Sequence, residues 1–351
     1  VEFVTPRFDP SSGYTRSLHP DVGVYAPLDH HGLFAIDDLD PSAPILTHYM
    51  HPIIERLKLQ GFEPGRLLFG APYDWRQSVS SDYIIGVLKK QILAAYVAGK
   101  NHTVDLVSHS LGGLVVRSLL VSDPDFVNQH VRQWVALACP WQGGAGGNTL
   151  GAFLNGFNLL NPLVTNFAAH QIELNCPSFY EVHPNMTFPW TVPPSLTVCH
   201  NGRNHTITNL QDAKALYLAA NRNNNVTVNG KTVPDPFDEA VWEVAQATWK
   251  KWSNLTALYP NGFNYTAIIG TGIDTPQQVT FSGCPDNVTD LLNSPIVKTT
   301  NCDGDGTVPH DSAAGDLLPF GRRALFSNAT HHGMLNMKKV HDFLLDVLLV
   351  D

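Results

Sequence analysis

The sequence is poor in charge and has no long apolar runs. Only 15% of its 351 residues are charged, and 22 Lys and Arg face 31 Asp and Glu, for a formal net charge of −9. Nucleic-acid binders displace counterions with clustered cations, so this balance excludes that class of partner. No segment approaches the roughly 18 consecutive apolar residues of a transmembrane helix. Any contact with a lipid surface is therefore expected to be peripheral.

Cysteine is scarce, and its number is odd. Sequence order favours two disulfides, Cys176 with Cys199 and Cys284 with Cys302, which leaves Cys139 as a free thiol in the core. The second pair would close a loop directly before a candidate acidic residue and hold it in place. The spacing matches no zinc site, so neither a metal nor a cofactor is predicted.

Sites for N-linked glycosylation are abundant. The chain begins with Val and shows no signal peptide, so it is expected to be a mature product or to lack an N-terminal piece. Its many Asn-x-Thr sequons predict a glycoprotein that is secreted or held in the lysosomal or vacuolar lumen. The predicted acceptors are Asn101, Asn185, Asn204, Asn225, Asn254, Asn264, Asn287 and Asn328.

The order of apolar segments predicts a parallel sheet. Residues 83–98 repeat apolar positions at helical spacing and end at a glycine, and 103–107 form a short β-branched run. A sharp turn and an apolar run at 114–120 follow, and then a second buried strand at 134–138. This strand, turn, helix and strand order is that of a βαβ unit with helices on both faces of the sheet.

The turn between the first of these strands and its helix carries a candidate nucleophile. Ser108-His-Ser-Leu-Gly112 has small residues two places before and after Ser110, as the tight nucleophile elbow of α/β-hydrolases requires, although Ser108 replaces the usual glycine. In that elbow Ser110 is the nucleophile, and the backbone N–H of Leu111 donates to an oxyanion. The predicted fold class is therefore an α/β-hydrolase.

The acid and the base follow the nucleophile in chain order in this fold. Asp305 lies in a glycine-flanked turn and is the favoured acid, with Asp303 as the alternative. His331 and His332 stand before the closing helix, and either could act as the base.

Regular patterning weakens in the middle of the chain, which predicts an inserted cap. Residues 145–261 hold many sequons and prolines and show no evident core of their own. Strands at 265–269 and 323–326 and a helix at 334–349 then resume the core. The predicted organisation is an N-terminal part of the hydrolase core, an inserted cap and a C-terminal part with acid and base, at residues 1–145, 146–261 and 262–351.

Six separated motifs resemble the lecithin:cholesterol acyltransferase family, from about residue 20 to the C-terminus. They are FGAPYDWR at 69–76, SHSLGG at 108–113, ACPWQG at 138–143, GTGIDTP at 270–276, DGDGTVP at 303–309 and HHGML at 331–335. The family includes the lysosomal phospholipase A2 and the plant and algal phospholipid acyltransferases. For 69–76, a structural role near the floor of the active site is favoured over direct chemistry.

The resemblance implies a reaction and assigns its residues. It implies Ser110 as nucleophile, Asp305 as acid and His331 rather than His332 as base. Family members take an acyl group from a glycerophospholipid onto the serine, and water, a sterol or another alcohol then removes it. The leading hypothesis is therefore a lipid acyl hydrolase or O-acyltransferase. The alternatives are a non-enzymatic structural or binding glycoprotein and a water-only esterase or peptidase.

Three departures from the family pattern stand out. The family's first core strand, the loop with its second oxyanion donor and its membrane-binding subdomain would precede residue 1. Either a cleaved N-terminal chain is therefore a partner, or this chain cannot assemble a full oxyanion hole. Cys139 replaces the small residue usual before Pro-Trp. Asn328 would place a glycan close to His331.

Overall fold

The computed structural model describes residues 6–17, 29–38, 48–156, 165–253, 255, 263–318 and 321–349. The strands are β1 (Pro6–Asp9), β2 (Tyr14–Ser17), β3 (Val104–His109), β4 (Val131–Leu137), β5 (Ser195–His200), β6 (Arg203–Ile207), β7 (Asn225–Val228), β8 (Lys231–Pro234), β9 (Asn264–Thr271), β10 (Ile273–Phe281), β11 (Ile296–Gly304) and β12 (Arg322–Ser327).

The α-helices lie between and after these strands. They are α1 (Phe34–Asp37), α2 (His51–Leu59), α3 (Asp82–Ala98), α4 (Leu111–Ser122), α5 (Pro124–His130), α6 (Gly146–Asn155), α7 (Asn166–Glu173), α8 (Pro177–Glu181), α9 (Leu210–Asn221), α10 (Glu239–Trp252), α11 (His310–Ala314) and α12 (Lys338–Leu348). Short 3-10 helices cover Asp29–Gly32, Val288–Asn293 and Gly333–Asn336. Among the described helices, none combines the length and apolarity needed to cross a bilayer.

The central sheet is parallel and buried on both faces. Its strand order is β12-β9-β4-β3, and each neighbouring pair runs parallel. Successive residues of β4 point to opposite faces, so Trp134 packs in the cluster with α3 and α4 and Val135 in the cluster with α2 and α12. This is the α/β-hydrolase architecture predicted from the sequence, with helices covering each face.

The predicted elements of this sheet agree with the structure to within a few residues. The largest difference is at the C-terminus, where the expected helix at 334–349 begins as a 3-10 turn and becomes α-helical only at Lys338. Gly99 follows α3 as predicted but has φ −76°, and the left-handed residues are the next two, Lys100 and Asn101. The helix ends at Ala98 as predicted, but the left-handed conformation that usually selects glycine falls on Lys100, one residue after Gly99.

A second core lies outside the central sheet, so the expectation that the cap has no core is wrong. Its sheet has the order β11-β10-β5-β6, and its cluster includes Leu150, Tyr217, Trp242 and Phe281. These side chains come from helices before residue 253 and from a strand after residue 263, which is why no single stretch of sequence shows the core. The boundary at 261/262 falls outside the described residues, and the domain limits stay a prediction.

The disulfide connects residues far apart in sequence. Cys199 is bonded to Cys284 across a separation of 85 residues, so the predicted pairing of neighbours in sequence is wrong. Strand β5 pairs in parallel with β10, and parallel strands bring their carboxyl ends together, which places Cys199 beside the residues after β10. Cys176 is a buried free thiol, and Cys302 is a half-buried free thiol on β11.

A buried carboxylate joins the cap to the segment after the FGAPYDWR motif. Glu181 ends α8 and accepts hydrogen bonds from Ser78 Oγ at 2.5 Å, Val79 N at 2.9 Å and Thr248 Oγ1 at 2.9 Å. Burial outweighs these donors and raises the pKa of Glu181 to about 7. The group is therefore protonated in the folded protein at pH values where the unfolded chain has released the proton.

The wild type should lose stability as the pH rises towards 7, and we expect Glu181→Gln to abolish that part of the loss. Between the unfolded pKa of 4.5 and the folded pKa of about 7, the folded state holds a proton that the unfolded state lacks. The free energy of unfolding contributed by Glu181 therefore falls across that window, by about 3 kcal/mol. Urea unfolding of both proteins at about pH 5 and about pH 7.5 measures the change.

The exposed Glu63 offers a matched control for this measurement. Its side chain is 64% exposed and pairs with Arg66 at the surface, so Glu63→Gln should change the free energy of unfolding by no more than about 1 kcal/mol. A Glu181→Gln variant whose stability relative to the wild type is the same at the two pH values would show that Glu181 titrates normally.

Candidate active site

The connection from β3 to α4 is a strained turn centred on Ser110. This serine has φ 53° and ψ −127°, which is costly for a residue with a side chain. Its N–H donates to the Leu137 carbonyl at 2.8 Å, which fastens the turn to β4. An ideal Cβ on Gly112 would lie 3.8 Å from Ser108 Cβ, so the residues on either side of the turn approach closely. Ser110 therefore stands at the apex of a tight turn between a buried strand and a helix.

Ser108 and Cys139, which replace the residues usual at their positions, each have a structural explanation here. Ser108 Oγ accepts a hydrogen bond from Trp134 Nε1 at 2.8 Å, so the serine in place of glycine ties β3 to β4. Cys139 is buried, and its Sγ would lie only 2.4 Å from a Cβ on Gly113. The absence of a side chain at Gly113 therefore makes room for the larger residue at 139.

Three predicted residues meet at this turn. His331 Nε2 lies 2.8 Å from Ser110 Oγ, and His331 Nδ1 lies 2.8 Å from Asp305 Oδ2. The His331 side chain is 14% exposed and that of Asp305 is 2% exposed, so substrate can reach the imidazole but water cannot surround the carboxylate. A hydroxyl bonded to an imidazole that is held by a carboxylate can deliver a nucleophilic oxygen to a carbonyl carbon.

The turn after β11 holds Asp305 in place. Asp305 Oδ1 accepts from the backbone N–H of Thr307 at 2.9 Å and of Val308 at 2.7 Å, which leaves Oδ2 for the imidazole. The Asp305 carbonyl also accepts from His331 N at 2.8 Å. Asp303, the alternative acid, instead accepts from Gly272 N at 2.6 Å and is exposed.

The second histidine of the pair faces a different neighbour. The His332 ring stacks on Tyr49 with ring centroids 5.6 Å apart and planes 11° apart. Burial, and then the nearby His331, lower the pKa of His332. The structure therefore brings His331, and not His332, to Ser110.

Sequence reasoning missed two residues that support His331. His109 Nε2 donates to the His331 carbonyl at 3.0 Å, and His109 Nδ1 accepts from the Tyr49 hydroxyl at 2.6 Å. Burial, and then the nearby His331, lower the pKa of His109 well below its usual range, so it is a neutral imidazole with these two roles. The position of His109 inside the elbow motif was the only signal; nothing in the sequence pointed to Tyr49.

Leu111, whose backbone N–H is the predicted oxyanion donor, lies at the N-terminus of α4. Leu111 is the first residue of this 12-residue helix, whose first N–H groups have no acceptor within the helix. Ser110 is the N-cap of this helix, so its Oγ stands at the positive end of the helix dipole, which favours negative charge there.

The FGAPYDWR segment is held by its own buried polar groups. Asp74 accepts from Arg76 Nε and Nη2, each at 2.8 Å, and from Gln77 Nε2 at 3.1 Å. Gln77 in turn bonds both the N–H and the carbonyl of Thr15 in β2. These contacts give the motif a packing role, as the sequence favoured.

The described sequon asparagines are all exposed. They occupy turns, strand ends and the surface of the second sheet, at Asn101, Asn185, Asn204, Asn225, Asn264, Asn287 and Asn328. Asn254 lies outside the described residues. Asn328 is in the turn between β12 and His331, so a glycan there would stand near the site entrance.

Comparison with known proteins identifies relatives along most of the chain. The family model of lecithin:cholesterol acyltransferase matches residues 4–314. The chain is 32% identical to Phospholipase A(1) LCAT3 of Arabidopsis thaliana, over 98% of this chain and 81% of that protein. It is also 32% identical to Lecithin-cholesterol acyltransferase-like 4 of the same plant, over 96% of this chain and 66% of that protein.

Animal proteins match at lower identity, and a solved structure aligns weakly. Lysosomal phospholipase A and acyltransferase of Bos taurus is 27% identical, over 80% of this chain and 61% of that protein. A crystal structure of a Bacillus licheniformis lipase aligns with 14% identity and a TM-score of 0.39, covering 78% of this chain and 75% of the lipase. This chain therefore spans between about three fifths and four fifths of the length of these curated relatives.

Proposed function

The chain belongs to the lecithin:cholesterol acyltransferase family, and we propose that it is a serine-dependent acyl hydrolase or O-acyltransferase of glycerophospholipids. The observation that carries the proposal is the continuous hydrogen-bonded set from Ser110 Oγ through His331 to Asp305, with both bonds at 2.8 Å. The family is one of enzymes that cleave and transfer lipid acyl chains, and the relatives that match here carry phospholipase A and acyltransferase names.

The proposed acylation half-reaction begins at Ser110. As its Oγ attacks the ester carbonyl carbon of a phospholipid, His331 Nε2 takes the hydroxyl proton and the carbonyl oxygen becomes an oxyanion that accepts from Leu111 N–H. The intermediate then breaks its bond to the glycerol oxygen, which receives the proton from His331 and leaves as a lysophospholipid. Asp305 keeps the imidazole oriented and stabilises its cationic form.

The deacylation half-reaction repeats these steps with a second substrate. Water or an alcohol such as a sterol loses a proton to His331 Nε2 and attacks the acyl-serine ester, and the proton then returns to Ser110 Oγ as the bond breaks. The product is a free fatty acid or a new ester. We further propose that the protein is a glycoprotein of a secretory or lysosomal compartment, on the basis of its seven exposed sequons and its lysosomal relatives.

A fluorophosphonate probe tests the nucleophile. We expect one equivalent of probe to label Ser110, with loss of labelling in Ser110→Ala and unchanged labelling in Ser122→Ala, a control at the far end of α4. Peptide mass spectrometry after labelling gives the site. Labelling that persists in Ser110→Ala would contradict the assignment, and a wild-type protein that never labels would favour the non-enzymatic glycoprotein.

Phosphatidylcholine vesicles test the substrate and the acceptor. We expect the wild type to release fatty acid and lysophospholipid, and Ser110→Ala to release neither. Adding a sterol or a long-chain alcohol separates hydrolysis from transfer, because a transferase diverts acyl groups into a new ester. Turnover of short soluble esters or amides without any turnover of phospholipid would instead support the water-only esterase or peptidase.

A further inference from the structure

Four acidic and imidazole side chains converge next to the first turn of α2. Asp38 and His48 form an antiparallel backbone bridge, and the N–H of Tyr49 donates to the Asp37 carbonyl at 2.8 Å. This pairing fixes Asp37 and Asp38 opposite His48 and His51, the first residue of α2. The catalytic mechanism uses none of these four side chains.

The arrangement of the cluster suits a metal ion. Asp38, His48 and His51 each offer one ligand atom, and the three atoms lie within 4.8 Å of one another. The two imidazoles stack face to face, with ring centroids 4.0 Å apart and planes 7° apart. Tetrahedral zinc with bonds of about 2.0 to 2.1 Å separates its ligand atoms by about 3.3 Å. A bound ion would therefore replace the hydrogen bond between His48 Nδ1 and Asp38 Oδ1, and the two stacked rings would turn so that their lone pairs converge on it.

The surrounding groups match those of known metal centres. Asp37 Oδ1 accepts from His51 Nδ1 at 3.0 Å, which fixes the tautomer of the ring and leaves Nε2 as a lone-pair donor. The two carboxylates, Asp37 and Asp38, carry the negative charge that balances a dication and outweighs the positive end of α2 at His51. His48 and His51 are each about one third exposed, so an ion can enter and a water can complete the coordination.

We propose that Asp38, His48 and His51 form a binding site for a divalent transition metal, with zinc the best match and Asp37 as the outer-sphere carboxylate. Two imidazoles and a carboxylate are ligands that favour zinc over calcium or magnesium, which prefer oxygen. The cysteine spacing had predicted no zinc site, because the ligands here are histidine and aspartate drawn from two separate segments.

The site is connected to the catalytic histidine through Tyr49. This tyrosine lies between His48 and His51 in the chain, and its hydroxyl bonds His109, which bonds the His331 carbonyl. A metal that joins Asp38 to both histidines would restrain the backbone on each side of Tyr49. The metal thus has a structural role that extends to the active site and does not take part in the chemistry.

Metal binding by the full-length glycosylated protein tests the proposal. After removal of metal with a chelator, titration with zinc against a chromophoric competitor should give one tight site per chain, and zinc should raise Tm by several degrees. Cobalt in place of zinc should show the visible absorption of a tetrahedral site. His48→Asn/His51→Asn should lose the site, whereas His102→Asn/His205→Asn, which changes two exposed histidines elsewhere, should keep it.

Two further variants keep the test decisive. Asp38→Asn should weaken zinc binding by about tenfold or more even if the double histidine variant folds poorly. Ser110→Ala should bind zinc as the wild type does, which separates this site from the catalytic residues and leaves the result independent of the proposed activity. An unchanged zinc stoichiometry in His48→Asn/His51→Asn, or no tight site in the wild type, would overturn the proposal.

Discussion

His331→Ala is expected to lower kcat for lipid ester cleavage by roughly 10⁴- to 10⁶-fold. His331 Nε2 is 2.8 Å from Ser110 Oγ, and no other described imidazole nitrogen bonds that oxygen. Without it, the Ser110 hydroxyl must lose its proton to water, and the leaving oxygen has no general acid. Phospholipid turnover under saturating vesicle concentrations measures the loss, with unchanged Tm to show that the variant is folded.

The neighbouring histidine provides the matched control. His332→Ala removes a ring stacked on Tyr49 and leaves the bonds from His331 to Ser110 and Asp305 in place. We therefore expect a change in kcat within about tenfold. The reverse order, with His332→Ala the more damaging substitution, would move the base to the second histidine and would require a different acid as well.

Asp305→Asn is expected to lower kcat by roughly 10⁴-fold while leaving the fold intact. An asparagine oxygen can still accept from the N–H groups of Thr307 and Val308, so the turn after β11 is preserved. Its amide NH2 would then face His331 Nδ1, which forces the proton onto Nε2. An imidazole in that tautomer cannot accept the proton of Ser110, so the substitution disables the base without removing it.

Asp303 distinguishes this effect from a general loss of charge. Asp303→Asn also removes one carboxylate, two residues before Asp305 at the end of β11, but Asp303 accepts from Gly272 N at the surface and does not bond His331. We expect it to retain kcat within about tenfold. Equal losses in the two variants would mean that the turn, and not the carboxylate behind the imidazole, limits the reaction.

The parts of the fold that sequence could predict depend on local patterns. Residues 134–137 of β4 are fully buried and form a continuous apolar run, because both faces of the strand are covered. Helix α3 is buried on one face only, so its apolar residues repeat at helical spacing. The nucleophile elbow was recognisable because one tight turn requires small residues two positions before and two positions after Ser110. Each of these signals is complete within a few residues.

Long-range pairing left no such local signal. The disulfide from Cys199 to Cys284 follows from the parallel contact of β5 with β10, which no count of intervening residues reveals. The second core draws side chains from positions between Phe8 and Leu291, so its apolar residues are diluted by loops and sequons along the chain. Tyr49 became relevant to His331 only through His109, a contact between three separate segments.

The sequence by itself determined which residues could do the chemistry, and the tertiary structure decided which of them meet. Ser110 was identified by its elbow, and the acid and base were narrowed to two aspartates and two histidines by motif order. Adjacent side chains diverge, and local sequence does not record which of them faces a residue more than 200 positions away. The turns at Thr307 and Thr330 made that choice: they direct Asp305 and His331 towards Ser110, and they leave Asp303 and His332 bound to other neighbours.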